Sequence, residues 1–454
     1  MPTPMRDGST DMSIQRKAMI AGAAAGAVAL PFVLAGKVGK RRRDILQEPQ
    51  RSPSYWMATI PELTPFPTLS GEMHVDVAVV GGGFTGLATA YYLKQHDPSI
   101  SVALLESQRI GSGSSTRNTG GVGRQLRGQE SNDATQRGYE LIRSFAEREE
   151  LPFDLDEQVP ALRLHRTMDT IEDPDLTGDD LARQIGSSFY QAAEAFTASS
   201  LHPGKLVTSL VHANRQLGVD LYEHSPVISI EKNGGRPLLK TPDGRVLAGN
   251  VVLATNAYTP QLGVAEDQLL VMHQRVIVTR HLTDEEWERS GLGRWSMRME
   301  HGTYYTHTVR ATPDRRFFFR HVLGHRPMEA VDWTVSERDI QAGHRELLRR
   351  YPWLEDAPIE YAWHGITART RDLWPVVGEV DDHVYLSAGY NGGGVMPAHY
   401  FGYLLARRIL GHHDEDLDQL QRLPDEHPSW PPELLRHTIF QGAMRYRRML
   451  DGRR

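Results

Sequence analysis

The chain has 454 residues, of which 24% are charged, and a formal net charge of −6. This length exceeds one ordinary hydrophobic core, so at least two domains are expected, and the acidic balance gives no indication of nucleic-acid binding. Cysteine is absent. Its absence excludes disulfides, thiolate metal sites, cysteine nucleophiles and any cofactor attached through a cysteine sulfur.

An uncharged stretch rich in Ala and Gly, residues 18–36, follows an Arg-Lys pair near the N-terminus. Its length approaches the roughly 20 residues that cross a bilayer, so residues 1–46 are predicted to be a signal or membrane anchor with a basic flank. The Arg-Lys pair resembles a degraded twin-arginine signal. A cell-envelope location is therefore favoured, and the alternative is a disordered tail on a cytoplasmic protein. Residues 47–73, rich in Pro and Ser, are interpreted as a linker.

Residues 75–106 predict a strand, a glycine turn, a helix and a second strand. Residues 75–80 are a β-branched run typical of a strand buried in a parallel sheet, and a helix-length segment follows the glycines. The glycines form the pattern G-x-G-x-x-G at Gly81, Gly83 and Gly86. Glycines at these places allow a tight turn, a close approach of backbone N–H groups to a pyrophosphate, and packing of the helix on the strand.

The second strand ends in Glu106, 20 residues after the last glycine of the motif. A carboxylate at this distance is placed to accept hydrogen bonds from the ribose hydroxyls of a dinucleotide. The competing interpretation is a glycine-rich loop of an unrelated α/β domain, but strand, spacing and acid together favour the dinucleotide. The run from Ser107 to Arg124 is small and polar, and beside such a site it can wrap a phosphate chain.

Later segments carry two different patterns. Helical spacing is found in residues 132–149, 206–217 and 397–410, and short strands are predicted between Val227 and Ala254. Residues 269–320 contain β-rich segments separated by loops, which predict an antiparallel sheet in a second domain.

Several separated motifs occur in one order that resembles the FAD-dependent oxidoreductases related to D-amino-acid oxidase, glycine oxidase, sarcosine oxidase and, most closely, gamma-glutamylputrescine oxidase. The motifs are the glycine turn, Glu106, the Gly-Ser-Gly-Ser-Ser-Thr-Arg-Asn-Thr-Gly-Gly run, the helix that begins Pro-Gly-Lys-Leu, Val227, the Ala-Thr-Asn at 254–256 and the Gly-Tyr-Asn-Gly-Gly-Gly-Val at 389–395. The resemblance covers residues 75–411. It implies an α/β fold, α+β overall, in which a discontinuous, doubly wound FAD-binding domain of the Rossmann type is joined to an antiparallel substrate domain.

The resemblance also implies domain boundaries. The FAD-binding domain would comprise residues 74–130, 201–262 and 356–412, with a helical or substrate-domain insertion at 131–200, the antiparallel substrate domain at 263–355 and a C-terminal tail at 413–454.

By match to the family's motifs, the resemblance implies which residues hold FAD. Those at the pyrophosphate would be Gly81, Gly83, Phe84, Thr85 and Gly86. Those toward the adenosine would be Glu106, Ser107, Arg109 and Val227, and those along the ribityl phosphate Ser114, Ser115, Asn118 and Thr119. The remaining cofactor-binding residues would be Ala254, Thr255 and Gly389, with Gly392, Gly393, Gly394 and Val395 at the pyrimidine edge of the flavin, where backbone N–H groups can stabilise an anionic ring.

The chain departs from the family's pattern in three ways. Relatives often carry Gly-His-Gly where this chain has three glycines, 392–394, and Trp-Gly-Gly is replaced by Trp-His-Gly at 363–365. Sarcosine oxidases use a lysine of the substrate domain to activate oxygen, and the last lysine of this chain is Lys240. The electron acceptor therefore stays open between oxygen and a quinone or carrier protein.

The implied reaction is oxidation of the C–N bond of an amine or amino acid by hydride transfer to flavin N5, which gives an imine and, with oxygen as acceptor, hydrogen peroxide. Catalytic or substrate-binding candidates are Arg124, His273, Arg320 and His364. A guanidinium suits a carboxylate, but half of the strand residues should point away from the site, and a surface role for Arg124 and a structural role for His364 compete. No metal site is expected. The alternatives are an amine dehydrogenase and a non-catalytic, membrane-associated flavin-binding protein.

Overall fold

The computed structural model describes residues 53–122, 130–149, 153–302, 306–325 and 335–451. The predicted anchor at 18–36 and the candidate Arg124 lie outside these ranges, so both stay predictions. Within the ranges, every helix is too short or too polar to span a bilayer.

The first sheet is built around parallel strands in the order β17-β10-β1-β2-β7. Strand β16 joins β17 antiparallel at one edge, and β8 and β9 form an antiparallel hairpin beside β10. The strands are β1 Gly71–Val80, β2 Val102–Leu105, β7 Asp220–Tyr222, β8 Ser229–Asn233, β9 Arg236–Lys240, β10 Gly244–Leu253, β16 Val376–Asp381 and β17 Val384–Ala388.

The central strand of this sheet, β1, is buried on both faces from Val77 to Val80, as the run of valines in its second half predicts. Val77 and Val79 join a core formed with helices on one face, whereas Ala78 and Val80 join a second core on the other. The helices of the first core are α2 Phe84–His96, α3 Glu130–Glu149, α5 Pro203–Gln216, α8 Val395–Ile409 and α9 Glu415–Leu420. The remaining helices are α1 Tyr55–Ala58, α4 Gly178–Ile185, α6 Asp284–Ser290, α7 Glu337–Leu348 and α10 Glu433–Asp451.

The second sheet confirms the predicted antiparallel substrate domain. Its order is β15-β11-β14-β13-β12-β4-β6-β3, with β5 beside β6, and its only parallel pair among the described residues is β12 with β4. The strands are β3 Gly121–Val122, β4 Asp156–His165, β5 Leu176–Thr177, β6 Ala192–Ser200, β11 Leu270–His281, β12 Met297–Glu300, β13 His307–Ala311, β14 Arg316–His325 and β15 Ile359–Arg369.

The two faces of this sheet have different neighbours. One face, here called the helix face, carries Ile277 and Phe319 and packs on α7. The opposite face, here called the wrap face, carries Val276, Phe318 and Trp363 and packs on α1. The wrap face takes its name from the polar loop of residues 112–121, here called the wrap, whose backbone it contacts.

The predicted domain boundaries differ from the structure at three places. Strand β15 pairs along its length with β11, so the substrate sheet extends to Arg369 and the third FAD-domain segment begins after it. Helix α3 packs in the core of the FAD domain, although it was assigned to the insertion at 131–200. The predicted linker contains α1, and β1 begins at Gly71 within it. Each difference arises from pairing or packing with a distant segment, which local composition does not encode.

Candidate active site

The glycine turn joins β1 to α2 in the conformation that the motif predicts. Gly81 has φ +111°, and a Cβ on it would lie 2.7 Å from the Ala254 carbonyl oxygen. A Cβ on Gly86 would lie 1.9 Å from the Gly81 carbonyl oxygen, so the helix packs too closely for any side chain there. Helix α2 starts after Gly83 without a side-chain cap. Its N-terminal N–H groups and dipole therefore favour an anion at this turn.

Glu106 holds the glycine turn from the end of β2. Its Oε2 accepts a hydrogen bond from the Gly82 backbone N–H at 2.8 Å, and its Oε1 accepts from the backbone N–H of Gln108 and the hydroxyl of Ser107, both at 3.0 Å. The side chain is buried. A carboxylate fixed beside the turn in this way fits the expected contact with a ribose.

Glu223, which the sequence analysis missed, holds Arg109. It follows β7, the strand beside β2, and its Oε2 lies 3.0 Å from Arg109 Nε. Its Oε1 accepts from the backbone N–H of Ile110 at 2.7 Å. The signal available in the sequence was an acid after a short strand, the same pattern as Glu106. Nearby Val227 is half-buried, two residues after Ser225, whose N–H donates to the Glu106 carbonyl at 2.8 Å.

The wrap connects the glycine turn to the substrate sheet. Ser115 Oγ accepts from the backbone N–H of Phe84, the first residue of α2, at 2.9 Å. Ser114 Oγ donates to the Ile366 carbonyl of β15 at 2.5 Å. Asn118 braces the loop internally, because its Nδ2 donates to the Ser115 carbonyl at 2.7 Å and its Oδ1 accepts from the Gly120 N–H at 2.7 Å. The predicted wrap residues thus lie together between the two domains.

The late glycine segment meets the same region from the other side. Ala254, at the end of β10, donates its N–H to the Val80 carbonyl at 2.8 Å, and Thr255 follows it. Gly389, with φ +77°, donates its N–H to Asn256 Oδ1 at 3.1 Å. Helix α8 begins at Val395 behind Gly394, again without a side-chain cap.

An arginine stands beside this second helix N-terminus. Arg369 Nη2 lies 3.6 Å from the position that a Cβ on Gly392 would occupy. The Arg369 guanidinium and the N-terminal end of the α8 dipole therefore both place positive charge at the glycines that replace the Gly-His-Gly pattern of relatives.

A row of polar side chains crosses four strands on the wrap face. Gln274 donates from Nε2 to Thr367 Oγ1 at 3.1 Å and accepts at Oε1 from Arg320 Nη1 at 3.1 Å. Arg320 Nη2 donates to the hydroxyls of Thr306 and Thr308 at 3.2 and 2.8 Å. The row fixes the orientation of the guanidinium and of the Gln274 amide.

Arg320 keeps a positive charge among neutral partners. No carboxylate of the described ranges lies within ion-pair distance of it, and its hydrogen-bond acceptors are an amide and hydroxyls. Burial, together with the nearby Arg369, lowers the pKa of Arg320 to about 10, which still leaves it charged at neutral pH. The residue is only half-buried, so part of its side chain stays accessible from outside the sheet.

Two predicted site residues point the other way. His364 lies on the helix face, where its Nε2 is 3.7 Å from Asp339 Oδ1 of α7, and Arg275 Nη2 contacts the same carboxylate at 2.6 Å. His273 alternates with Gln274 along β11 and therefore faces the same way as Arg275. The expectation that these two histidines share the site with Arg320 is wrong, because strand alternation places them behind the sheet.

The glycine turn, Glu106, the wrap and the late glycine segment together form a site that fits a dinucleotide with a flavin. Helices α2 and α8 both begin at this site without side-chain caps. Glu106 is fixed where the motif places the ribose. The backbone approaches too closely at Gly81 and Gly86 for either residue to carry a side chain. The model of the FAD dependent oxidoreductase (DAO) family matches residues 76–408. The chain belongs to this family.

Known members of the DAO family resemble the chain over most of its length. The probable oxidoreductase OrdL of Rhizobium meliloti is 29% identical over 404 residues, which cover 82% of this chain and 91% of that protein. The gamma-glutamylputrescine oxidoreductase of Escherichia coli is 28% identical over 415 residues, with 83% and 92% covered. The solved glycine oxidase of Bacillus cereus is similar in fold, with a TM-score of 0.62 at 19% identity, covering 77% of this chain and 99% of that one.

Membership of the DAO family establishes the general activity. The chain is an FAD-dependent oxidoreductase. A linkage of the flavin to cysteine is excluded because the chain has none. The individual FAD contacts given above stay predictions, and the geometry of these residues is compatible with them.

Proposed function

We propose that this DAO-family enzyme oxidises the C–N bond of a small amine that carries a carboxylate, with Arg320 as the group that binds the carboxylate. The observation that carries the proposal is a half-buried guanidinium whose described hydrogen-bond partners are all neutral. A buried charge normally has a counter-ion, because desolvation without one is costly. A substrate carboxylate would supply that counter-ion and accept two parallel hydrogen bonds.

The chain's own residues would orient the amine rather than react with it. Thr306, Thr308 and Gln274 fix the Arg320 plane, so a bound carboxylate has one favoured direction. FAD, when bound, supplies the two-electron oxidation by accepting a hydride at flavin N5. Direct hydride transfer requires no acid or base, which agrees with a wrap face whose described polar row contains no histidine.

The first experiment compares substrates that differ only by a carboxylate. Flavin absorbance of the purified holoenzyme is followed without oxygen after addition of sarcosine or dimethylamine, glycine or methylamine, D-amino acids, and gamma-glutamylputrescine. We expect bleaching by at least one carboxylated amine and none by its decarboxylated partner at the same concentration. Bleaching by amines without a carboxylate, and not by the carboxylated set, would contradict the proposal.

For the electron acceptor, we propose a quinone or carrier protein as a second candidate beside oxygen. The supporting observation is that no described strand of the substrate sheet contains a lysine, and the last lysine of the chain is Lys240, whereas sarcosine oxidases use a lysine of the substrate domain to activate oxygen. Readmission of air to the bleached enzyme distinguishes the two. Rapid reoxidation with one hydrogen peroxide per turnover supports an oxidase, and slow reoxidation that a soluble quinone accelerates supports a dehydrogenase.

We also propose a cell-envelope location, supported by the uncharged stretch at 18–36 and its basic neighbours. Fractionation of cells that express the full chain, beside a chain that starts at residue 47, tests this. Loss of membrane or periplasmic recovery in the shortened chain is expected, and equal distribution of the two would contradict it.

A further inference from the structure

Three consecutive carbonyls of the wrap are each held by a side chain from a different part of the molecule. The Arg117 carbonyl accepts from Trp363 Nε1 at 3.2 Å, the Asn118 carbonyl from Trp56 Nε1 at 2.8 Å, and the Thr119 carbonyl from Arg310 Nη1 at 2.5 Å. The donors come from β15, α1 and β13. Because each donor is buried, water does not compete for these carbonyls.

Trp56 is the one of these three hydrogen-bond donors that lies ahead of the nucleotide-binding motifs in the sequence. It lies in the four-residue helix α1, ahead of β1, and is fully buried at 0% exposure. The Arg310 guanidinium lies 5.0 Å from the centre of its ring, and the Phe318 ring lies 5.6 Å away. An indole held on both sides in this way has one position, so its N–H has one direction.

The backbone of α1 is fixed as firmly as its side chain. A Cβ on Gly204, at the start of α5, would lie 2.5 Å from the Trp56 carbonyl oxygen. Helices α5 and α1 are therefore in close backbone contact. Thr59 Oγ1 lies 3.3 Å from His202 Nε2, and the His202 ring meets the Trp56 ring edge-on at 5.0 Å. Helix α1 therefore bridges the FAD domain and the substrate sheet.

The clamped carbonyls determine which groups the wrap presents toward the cofactor. Asn118 is bonded through its side chain to the Ser115 carbonyl and through its own carbonyl to Trp56, and Ser115 in turn accepts from the first N–H of α2. Release of the Asn118 carbonyl would leave this residue's backbone held only through its neighbours Arg117 and Thr119 and through its own side chain. Preorganised hydrogen-bonding groups bind a ligand more tightly because less freedom is lost on binding.

We propose that Trp56 is a positioning residue for FAD: its indole N–H holds the wrap in the conformation that binds the cofactor, so FAD affinity depends on a segment that precedes the nucleotide-binding domain. The proposal concerns cofactor binding only and does not rest on the identity of the substrate. The proposal gives a role in cofactor binding to helix α1, which lies within residues 47–73, the segment whose composition predicts a linker.

The test compares two substitutions in the same helix. Trp56→Phe removes the indole N–H and leaves a smaller ring, and Tyr55→Phe removes a hydroxyl that donates to Asp314 at 2.6 Å. FAD affinity of the full chain is measured from flavin released on dilution of the holoenzyme. We expect the dissociation constant for FAD to rise about tenfold in Trp56→Phe, the effect of one buried hydrogen bond, and to change less than about twofold in Tyr55→Phe.

Two outcomes would overturn the proposal: an unchanged FAD dissociation constant in Trp56→Phe, or an equal rise in both variants, which would indicate a general loss of stability. A measurement on the wild-type chain covers the case in which Trp56→Phe does not fold. Because coupling is reciprocal, FAD should slow hydrogen exchange at the α1 amides of Met57 to Thr59 more than at helix α6, which carries none of the predicted FAD contacts. Equal slowing at both places would refute the coupling.

Discussion

Arg320 shows how one side chain acquires a function from its surroundings. Its cross-strand partner Thr308 and the Gln274 amide are neutral acceptors, so the hydrogen bonds that hold the guanidinium leave its charge uncompensated. Arg316, four residues earlier in β14, shows the contrast, because it pairs with Asp314 and Glu360. The same residue type in one strand thus has a structural role when an acid is present and a ligand-binding role when none is.

Substitution of Arg320 should therefore affect turnover more than stability. We expect Arg320→Met to lower kcat/KM for a carboxylated amine by about 10²- to 10³-fold, since loss of one partner of a buried charge pair costs roughly 2–5 kcal/mol. Arg320→Lys should recover only part of this loss because an ammonium cannot reproduce the planar fork. Steady-state kinetics of the holoenzymes provide the measurement. Arg316→Lys is the control, expected to lower the unfolding midpoint while KM stays within about twofold.

At the scale of elements, the contact between helices α2 and α8 connects the two ends of the cofactor site. Helix α2 starts at the glycine turn and α8 starts at the late glycine segment. They meet where a Cβ on Gly402 would lie 2.8 Å from the Thr85 carbonyl oxygen and 2.9 Å from Ala88 Cβ. The small residue at 402 therefore sets the separation of two helix N-termini that face the same cofactor.

A methyl group at this contact should weaken both folding and FAD binding. We expect Gly402→Ala to cost about 1–3 kcal/mol of unfolding free energy by overpacking, and to raise the dissociation constant for FAD because the helix starts move apart. Gly442→Ala in α10 is the matched control, since nothing lies within 4 Å of its Cβ position. It should be neutral or stabilising by up to about 1 kcal/mol. Urea unfolding and flavin retention measure the two effects; equal behaviour of the two variants would refute the packing argument.

At the scale of the whole molecule, histidines buried in the neutral form make the fold sensitive to acid. Burial lowers the pKa of His165, His202 and His307 to about 4 and that of His399 to about 3, from an ordinary 6.5. Between these values and 6.5 the unfolded chain binds protons that the folded chain does not. Their contribution to stability is therefore complete above pH 6.5 and is lost as the pH falls toward 4 and 3.

His399 offers the cleanest test of this acid sensitivity. It is fully buried in α8, and its Nε2 lies 2.9 Å from the Tyr92 hydroxyl. We expect His399→Asn to reduce the slope of unfolding free energy against pH by about 1.4 kcal/mol per unit between pH 4.5 and 6, the value for one proton. Urea unfolding with FAD in excess supplies the slope. The exposed His437→Asn should leave it unchanged, and a wild-type slope in His399→Asn would show that the site is protonated when folded.

The sequence by itself determined the features that depend on short-range pattern. The β-branched run, the three glycines and Glu106 lie within one strand-turn-helix-strand unit, so their spacing alone predicted a dinucleotide-binding site. The β-rich segments after residue 269 predicted the antiparallel sheet. The resemblance of separated motifs added the family and FAD. Helical spacing predicted the helix over residues 397–410, which the structure begins two residues earlier, at Val395.

Only the tertiary structure decided which side chains face the site. Period-two alternation says that half of a strand points away, but not which half, because that depends on how β11 and β15 pair and on which face meets the wrap. This is why Gln274 and Thr367 join Arg320, whereas His364 faces α7 and His273 lies on the face opposite to Gln274. Glu223 and Trp56 act on residues far along the chain, and their partners are brought near only by folding.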